Sequence, residues 1–507
     1  MVFSSLTFLY LFLPAVMLVY CIVPAKARNA VLLLASMTFY FCGEQLYLLL
    51  MLGEIVLAYA AGRLAEPRSG EKSGRGRKAV LVIFLVLSFG LLTLFKYADL
   101  LPETVNAIAG REVLGLLRLP LPIGISFYIF QGVSYGIDVY RGRYPAEKNP
   151  VRLALYISFF PQLIAGPIVR YDAIRESLAA ERRISVERLE RGIVRFCTGL
   201  GKKLLIADRL FALCEAAAAS TAPSAVLAWT EGLAFLLYVY YDFSGYSDMA
   251  IGLAGCFGFD IPENFRYPLI SDSFREFWRR WHISLGTWFR DYLYIPLGGN
   301  RKGRAQHLRN LLIVWGLTGL WHGASWNFVI WGACFGVLLI LEVLLSRNAA
   351  ASGNAPASVG KSASGNAAAS GDASVSAGAE ARAVTRRRAA LRVVRTAAVL
   401  AVTVTVFVWF RFTEFHGAVT QLGRMFGTVS LWSRDTAYLL SGSAVLLAAA
   451  LLGATPLPKR AMTALMKKRG ADVWLPILET LWILGILLLA TAYLVDGSFS
   501  PFLYFRF

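Results

Sequence analysis

Residues 311–341 read LLIVWGLTGLWHGASWNFVIWGACFGVLLIL, an apolar, Trp-rich run with one histidine near its centre. Its composition is that of membrane helix, which places His322 at bilayer depth. An ionisable group in hydrocarbon is expensive and faces the protein interior or a polar cavity. Imidazole changes protonation near neutral pH, so a general base is one reading of His322. A buried histidine bonded to a neighbouring helix is the other, and the rest of the sequence has to decide between them.

Of the 507 residues, 57% are hydrophobic and 16% charged, against about one quarter charged in soluble proteins. Aromatic residues make up 13%, many at the ends of apolar runs, as membrane-interface belts are. Seven runs have the length to span or nearly so: Phe3–Val23, Ala30–Ala61 (room for two short passes), Ala79–Tyr97, Ala225–Tyr241, Ala397–Phe412, Ala437–Leu452 and Val473–Val495. Leu121–Tyr140 and Val151–Val169 are interrupted by Gly, Pro and polar residues, and predict helices buried in a bundle or re-entrant segments shielded from lipid. The expected fold class is all-α, a polytopic integral membrane protein with about eleven to thirteen membrane segments. Phe3–Val23 lacks the basic start of a cleaved signal peptide and reads as a retained first helix.

A net charge of +19 would suggest nucleic acid in a soluble protein. Here the basic residues cluster between spans, in Arg63–Lys78, Arg170–Arg209, Arg266–Arg309, Arg382–Arg395 and Lys459–Arg469. The positive-inside rule makes all five cytoplasmic and excludes nucleic acid as the partner; the N-terminus, Thr413–Arg434 and Asp496–Phe507 then lie outside. Cys21, Cys42, Cys197, Cys214, Cys256 and Cys334 are scattered without CxxC spacing and read as small hydrophobes.

From Asn348 to Ala381 the chain is rich in Ala, Ser and Gly and contains no Leu, Ile or aromatic residue. Such a tract buries too little apolar area to offset its ordering entropy and predicts a flexible cytoplasmic linker. The expected division is a membrane core over 1–347, a linker over 348–390 and C-terminal transmembrane helices over 391–507. No repeat at a fixed period is visible.

Polar residues gather between Leu121 and His322: Gln131, Tyr135, Asp138, Gln162, Asp242, Ser244, Ser247, Asp248, His282 and His322. A polar cavity is expected there. The densest stretch, Phe274–Tyr294, alternates aromatic and basic residues too closely for a lipid-facing span and predicts an amphipathic or re-entrant helix at the cytoplasmic face. Arg279, Arg280 and Arg290 in it could attract anionic lipid heads or pair with the phosphates of an acyl donor such as coenzyme A. The turn Pro296–Arg301 that follows has two glycines, too weak a signal for a phosphate loop. Asp242 and Asp248, with hydroxyls between them, read as an acid/base pair or as a hydrogen-bonded helix junction. His282, His307, His322 and His416 show no metal-ligand spacing, so no metal is expected. Gly245 lacks the rest of a GxSxG elbow, which excludes that serine-hydrolase arrangement.

These same stretches carry a resemblance. LPIGISF (121–127) running through Gln131 to SYGIDVYRG (134–142), FPQLIAGPI (160–168), YDFSGYSDMA (241–250), Trp278–Asn300 and WHG (321–323) occur in the order found in the membrane-bound O-acyltransferase family. The chain resembles its bacterial alginate O-acetyltransferase branch most, over about Met1–Leu345. The resemblance implies a barrel-like helical core with re-entrant segments and a narrow passage through the membrane. It implies that His322 is the catalytic residue, with His282 on the cytoplasmic side of the passage, and Trp321, Arg279, Arg280, Asp242 and Gln131 as candidates for substrate contact. It also implies a thioester donor, acetyl-CoA, with no bound cofactor. The acceptor would be an exported polysaccharide reached through an extracytoplasmic SGNH hydrolase-like acetyltransferase, and the location the bacterial inner membrane. The sister branch that hands D-alanine to teichoic acid is the nearest alternative. Against it stand three extra C-terminal spans and the ending SPFLYFRF, residues 500–507. A polysaccharide export subunit is the alternative of another class, since polar residues at membrane depth serve a transport path equally well.

Residues and resemblance agree on the chemistry. A hydroxyl attacking a thioester needs its proton removed, which a neutral imidazole in hydrogen-bond reach does, a gain of roughly 10²–10⁴-fold. An acyl-histidine intermediate is the covalent alternative.

Overall fold

The computed structural model describes residues 2–67, 74–182, 185–351, 373–467, 471–497 and 502. The described chain is helical, and its two apolar clusters share one long central helix.

The first cluster is built on α1 (Leu13–Ile22), continuous with a π-turn before it, α2 (Arg28–Phe41), α3 (Leu48–Ala65) and α4 (Arg75–Tyr97). Ala30–Ala61 thus forms two helices. A short α5 (Leu100–Ala109) caps the end of α4, and α6 (Ile125–Tyr140) inserts with almost every side chain buried. The interrupted stretch 151–169 makes two short buried helices, α7 (Pro150–Ser158) and α8 (Phe160–Leu163). Asn149 caps α7 by accepting from the Val151 amide, and Pro150 at its first position costs no hydrogen bond. Then follow α9 (Tyr171–Ala179), α10 (Val186–Gly201) and α11 (Asp208–Ala218), the last two joined through a π-turn.

The central helix, α12, runs over Ala225–Cys256 and starts at a Ser224 cap. It continues through Asp242 and Asp248, so the helix junction expected there is absent. The apolar run and the polar stretch after it are one rod, because no proline or left-handed glycine interrupts them. Against α12, α10 packs with the backbones in near contact. A Cβ on Gly199 would come within 2.5 Å of the Gly245 carbonyl oxygen, and one on Gly252 within 2.6 Å of that of Gly192. Small residues spaced seven apart on both helices allow this approach, as at membrane helix interfaces.

The second cluster contains α13 (Phe274–Arg280), α15 (Arg304–His322), α16 (Trp326–Ala351), α17 (Ala373–Arg411), α18 (Phe415–Met425) and α19 (Arg434–Gly453). Between α13 and α15 lies α14 (Ile283–Phe289), whose Leu285, Trp288 and Phe289 belong to the first cluster. The chain ends in α20 (Leu457–Met466) and α21 (Ala471–Val495). Of the tract expected as a linker, residues 352–372 lie outside the described residues; α16 reaches into it as far as Ala351 and α17 begins at Ala373. Of the ending 500–507, offered above as a branch mark, Phe502 alone is among the described residues.

Six helices among the described residues are long and apolar enough to cross a membrane: Leu48–Ala65, Arg75–Ala109, Trp326–Ser346, Arg386–Arg411, Arg434–Gly453 and Trp474–Val495. Residues such as Leu11, Ile22 and Leu488 project apolar side chains outward, as lipid-facing positions do. The protein is an all-helical, multi-pass membrane protein.

Candidate functional site

The site begins with a break in the aromatic–basic stretch. The single helix expected over Phe274–Tyr294 is instead two, α13 and α14, separated at Trp281–His282. His282 adopts a left-handed backbone (φ 44°), which non-glycine residues take at a cost and which favours functional positions. Asn264 holds this break. Its backbone carbonyl accepts from the Ile283 amide at 3.0 Å, and its side-chain oxygen accepts from the Ser284 amide (3.2 Å) and hydroxyl (2.9 Å). The same oxygen lies 3.2 Å from His282 Nδ1, and the Asn264 amide donates to Ser247 on α12. Asn264 is fully buried. Nothing in its local sequence, PENFRYP over 262–268, marks it out, and it was missed.

Replacing Asn264 by alanine removes all the side-chain bonds at once and strands buried donors, each at about 1–3 kcal/mol. The expected result is a clear fall in unfolding temperature in detergent. Asn264→Asp, which keeps the acceptor, should fall between alanine and wild type.

His322 ends α15. Its ring packs between Trp321 (centroids 4.9 Å), Trp331 of α16 (5.0 Å) and Phe410 of α17 (5.2 Å). Trp321 belongs to the first apolar cluster, Trp331 and Phe410 to the second, so the imidazole lies on the seam between them. Trp321 also meets His282, at 5.8 Å between centroids, and rests on Phe127 and Phe130 of α6. The two histidines are therefore brought together by one indole.

A cavity of about 580 Å³ opens beside His282, bounded by α13, α14, α15 and α16. His282 lines it, and its Nε2 has no hydrogen-bond partner among the described residues. Arg275, Arg279 and Arg290 stand in the lining with Trp278, Trp281 and Thr318. Behind it, Arg170 and Arg290 each reach Asp291 at 2.7 Å. Burial would raise the Asp291 carboxyl, but these guanidiniums outweigh it and hold it below the usual carboxylate range.

The other expected contacts fall elsewhere. Arg280 pairs with Glu276 at 2.7 Å and is not in the lining. Asp242 accepts from Lys203 at 2.8 Å, which also meets Asp208, while Asp248 pairs with Arg195 and Lys202. Each carboxylate is thus neutralised by its own cations, and the two do not form an acid/base pair. Gln131 is fully buried in α6, with neither side-chain atom hydrogen-bonded among the described residues, outside the cavity. Lys96, at the end of α4, was also missed: its ammonium donates to the Trp321 carbonyl at 2.5 Å.

Comparison with known proteins agrees with this architecture. The model of the membrane-bound O-acyltransferase (MBOAT) family matches residues 125–357, from α6 through the His322 region. The Pseudomonas aeruginosa protein named "Probable alginate O-acetylase AlgI" is 45% identical over 355 residues, 69% of this chain and 67% of its own length. The peptidoglycan O-acetyltransferase of Helicobacter pylori is 34% identical over 371 residues, covering 67% of this chain and 70% of its own length. The teichoic acid D-alanyltransferase of Bacillus subtilis is 30% identical over 231 residues, covering 43% of this chain and 58% of its own. A helical membrane core shared with such enzymes over most of its length makes this chain a member of the membrane-bound O-acyltransferase family, and so an acyltransferase.

Proposed function

We propose that the protein moves an acetyl group from a cytoplasmic thioester to a hydroxyl outside, for O-acetylation of an exported cell-surface polysaccharide, in the inner membrane of a bacterium. The observation that carries this reading is the packing of both histidines on Trp321. One ring borders a cavity with cationic lining; the other stands at the far end of α15, about 27 Å along the helix from Arg304. Acetyl-CoA suits the near side. The guanidiniums of Arg275, Arg279 and Arg290 match its phosphates, and the apolar walls of Trp278 and Trp281 suit the pantetheine arm.

His322 is the base. An acceptor hydroxyl gives its proton to the imidazole as its oxygen attacks the thioester carbonyl carbon. The carbonyl oxygen carries the negative charge until the C–S bond breaks, and the departing thiolate recovers the proton from the imidazolium. His282, held by Asn264, presents Nε2 to the donor side. The identity to an alginate O-acetylase and the match to a peptidoglycan O-acetyltransferase favour acetate and a polymer acceptor. An SGNH hydrolase-like partner outside would complete the transfer to it.

The test is ester-linked acetate on exported polymers from a deletion strain, with and without the wild-type gene. Acetate lost and restored supports the reading, and the acetylated fraction names the polymer. Unchanged acetate with lost D-alanine esters would transfer the assignment to D-alanyl transfer. Polymer absent from outside, with acetylation intact, would favour export.

A further inference from the structure

Lys96 is a half-buried lysine with no carboxylate partner among the described residues. It lies about 30 Å along α4 from the basic end at Arg75, so it belongs to the outward side. Its one hydrogen bond among the described residues is to the Trp321 carbonyl, whose carbon is bonded to the backbone nitrogen of His322. Its ammonium also stands 6.0 Å from the Trp321 ring centre. The nearest acidic residue in sequence, Asp99, spends its two carboxylate oxygens on the Leu117 and Arg118 amides, at 2.7 Å each. Among the described residues no carboxylate pairs with Lys96.

A second cavity, of about 200 Å³, opens here, lined by Lys96, Asp99, Leu119, Leu121 and Ala324. Ala324 is two residues beyond His322, so this cavity opens next to the end of α15 that bears the imidazole. An ammonium has three donors, and among the described residues one of them is used. Capping the carbonyls at the end of α15 is a structural task for it. Yet Tyr97 already serves the Leu320 carbonyl at 2.7 Å, and a neutral donor would serve that of Trp321. An ammonium at this mouth with donors to spare among the described residues can receive an anion, and the anion this reaction generates is the carbonyl oxygen of the tetrahedral adduct.

We propose that Lys96 is a catalytic cation at the outward mouth of the site, stabilising the oxyanion that forms as the acceptor hydroxyl, entering through the cavity it lines, attacks the acyl carbonyl beside His322. The proton still travels by way of His322, and the protonated form of Lys96 is the one that acts. This rests on the acyl transfer proposed above and falls with it.

The experiment compares Lys96→Gln and Lys96→Arg in the deletion strain, at matched membrane abundance and unfolding temperature, by ester-linked acetate on the exported polymer. Glutamine keeps a donor for the Trp321 carbonyl but loses the charge, and should lower acetylation by about 10- to 100-fold. Arginine keeps the charge and should recover much of it. Glutamine acting like wild type, or arginine no better than glutamine, would overturn the proposal. Should glutamine prevent accumulation, Lys96→Cys treated from outside with 2-bromoethylamine rebuilds the ammonium, whereas 2-bromoethanol gives a neutral chain of equal length. Recovery with the amine alone supports the charge; equal results with both refute it. Wild type failing to restore acetate would instead remove the acetyl-transfer reading, before any variant is compared.

Discussion

Replacing His322 by alanine is expected to leave the protein in the membrane at its usual level and to lower transfer by about 10²–10⁴-fold. The two halves have separate causes. Folding near His322 is carried by rings that pack on one another as well as on the imidazole. Trp331 meets Phe410 at 5.1 Å, and Phe328 meets Phe410 at 5.0 Å. The void left by the lost ring costs stability without opening the bundle. Transfer, in contrast, loses the one proposed acceptor for the hydroxyl proton. His322→Gln fills more of the space and should be equally inactive, which separates lost chemistry from lost packing. Ester-linked acetate at equal membrane abundance is the measurement; acetylation persisting in the alanine variant would end the assignment of His322 as base.

Leucine at Gly332 is expected to have the opposite profile, with loss of folded protein first and of activity as a result. The helices α15 and α16 form a hairpin in which even a Cβ on Gly332 would overlap the Trp315 carbonyl oxygen and sit 3.0 Å from the Gly319 nitrogen. Neither backbone can give way alone, because a Cβ on Gly319 would in turn overlap the Phe328 carbonyl. Overpacking at such a crossing costs about 1–3 kcal/mol or more. The displaced end of the hairpin is the one that bears His322. Gly316→Ala, on the same α15 but facing open space, is the control. It should be neutral or stabilising by about 0.5–1 kcal/mol, the usual gain over glycine inside a helix. Unfolding temperature and membrane abundance distinguish the two; a wild-type profile for Gly332→Leu would mean that the close approach of the hairpin is dispensable.

What the sequence made legible follows from which forces are local. Apolar runs announced α4, α19 and α21 within a few residues, because helix length and lipid exposure are properties of one segment, whereas 311–341, read as one membrane stretch, is a hairpin of α15 and α16 broken after His322. The Gly-Pro-broken stretch 151–169 was legible as buried, since exposed breaks are not tolerated in lipid. His322 stood out because an imidazole in a Trp-rich apolar run is costly. Asn264 did not, since its importance comes from turning toward a break that only the fold creates. Phe410 did not either, for it reaches His322 from a helix beyond the tract expected to separate the core from the C-terminal spans. Asp242 and Asp248 misled for a related reason: sequence shows two carboxylates close together, but their partners Lys202, Lys203 and Arg195 come from α10 and the turn after it.

The aromatic collar round His322 has a consequence for the cell's energy supply. Trp321, Trp331 and Phe410 stand with ring centroids 4.9, 5.0 and 5.2 Å from that of the imidazole, an apolar surface that hydrated ions enter only at a cost. An enzyme that serves both faces of a coupling membrane must not short-circuit it. On the transfer proposed for this chain, the rings that frame the chemistry would also hinder the passage of ions. Thinning them, for example by Trp331→Ala, trades catalytic geometry against a proton leak.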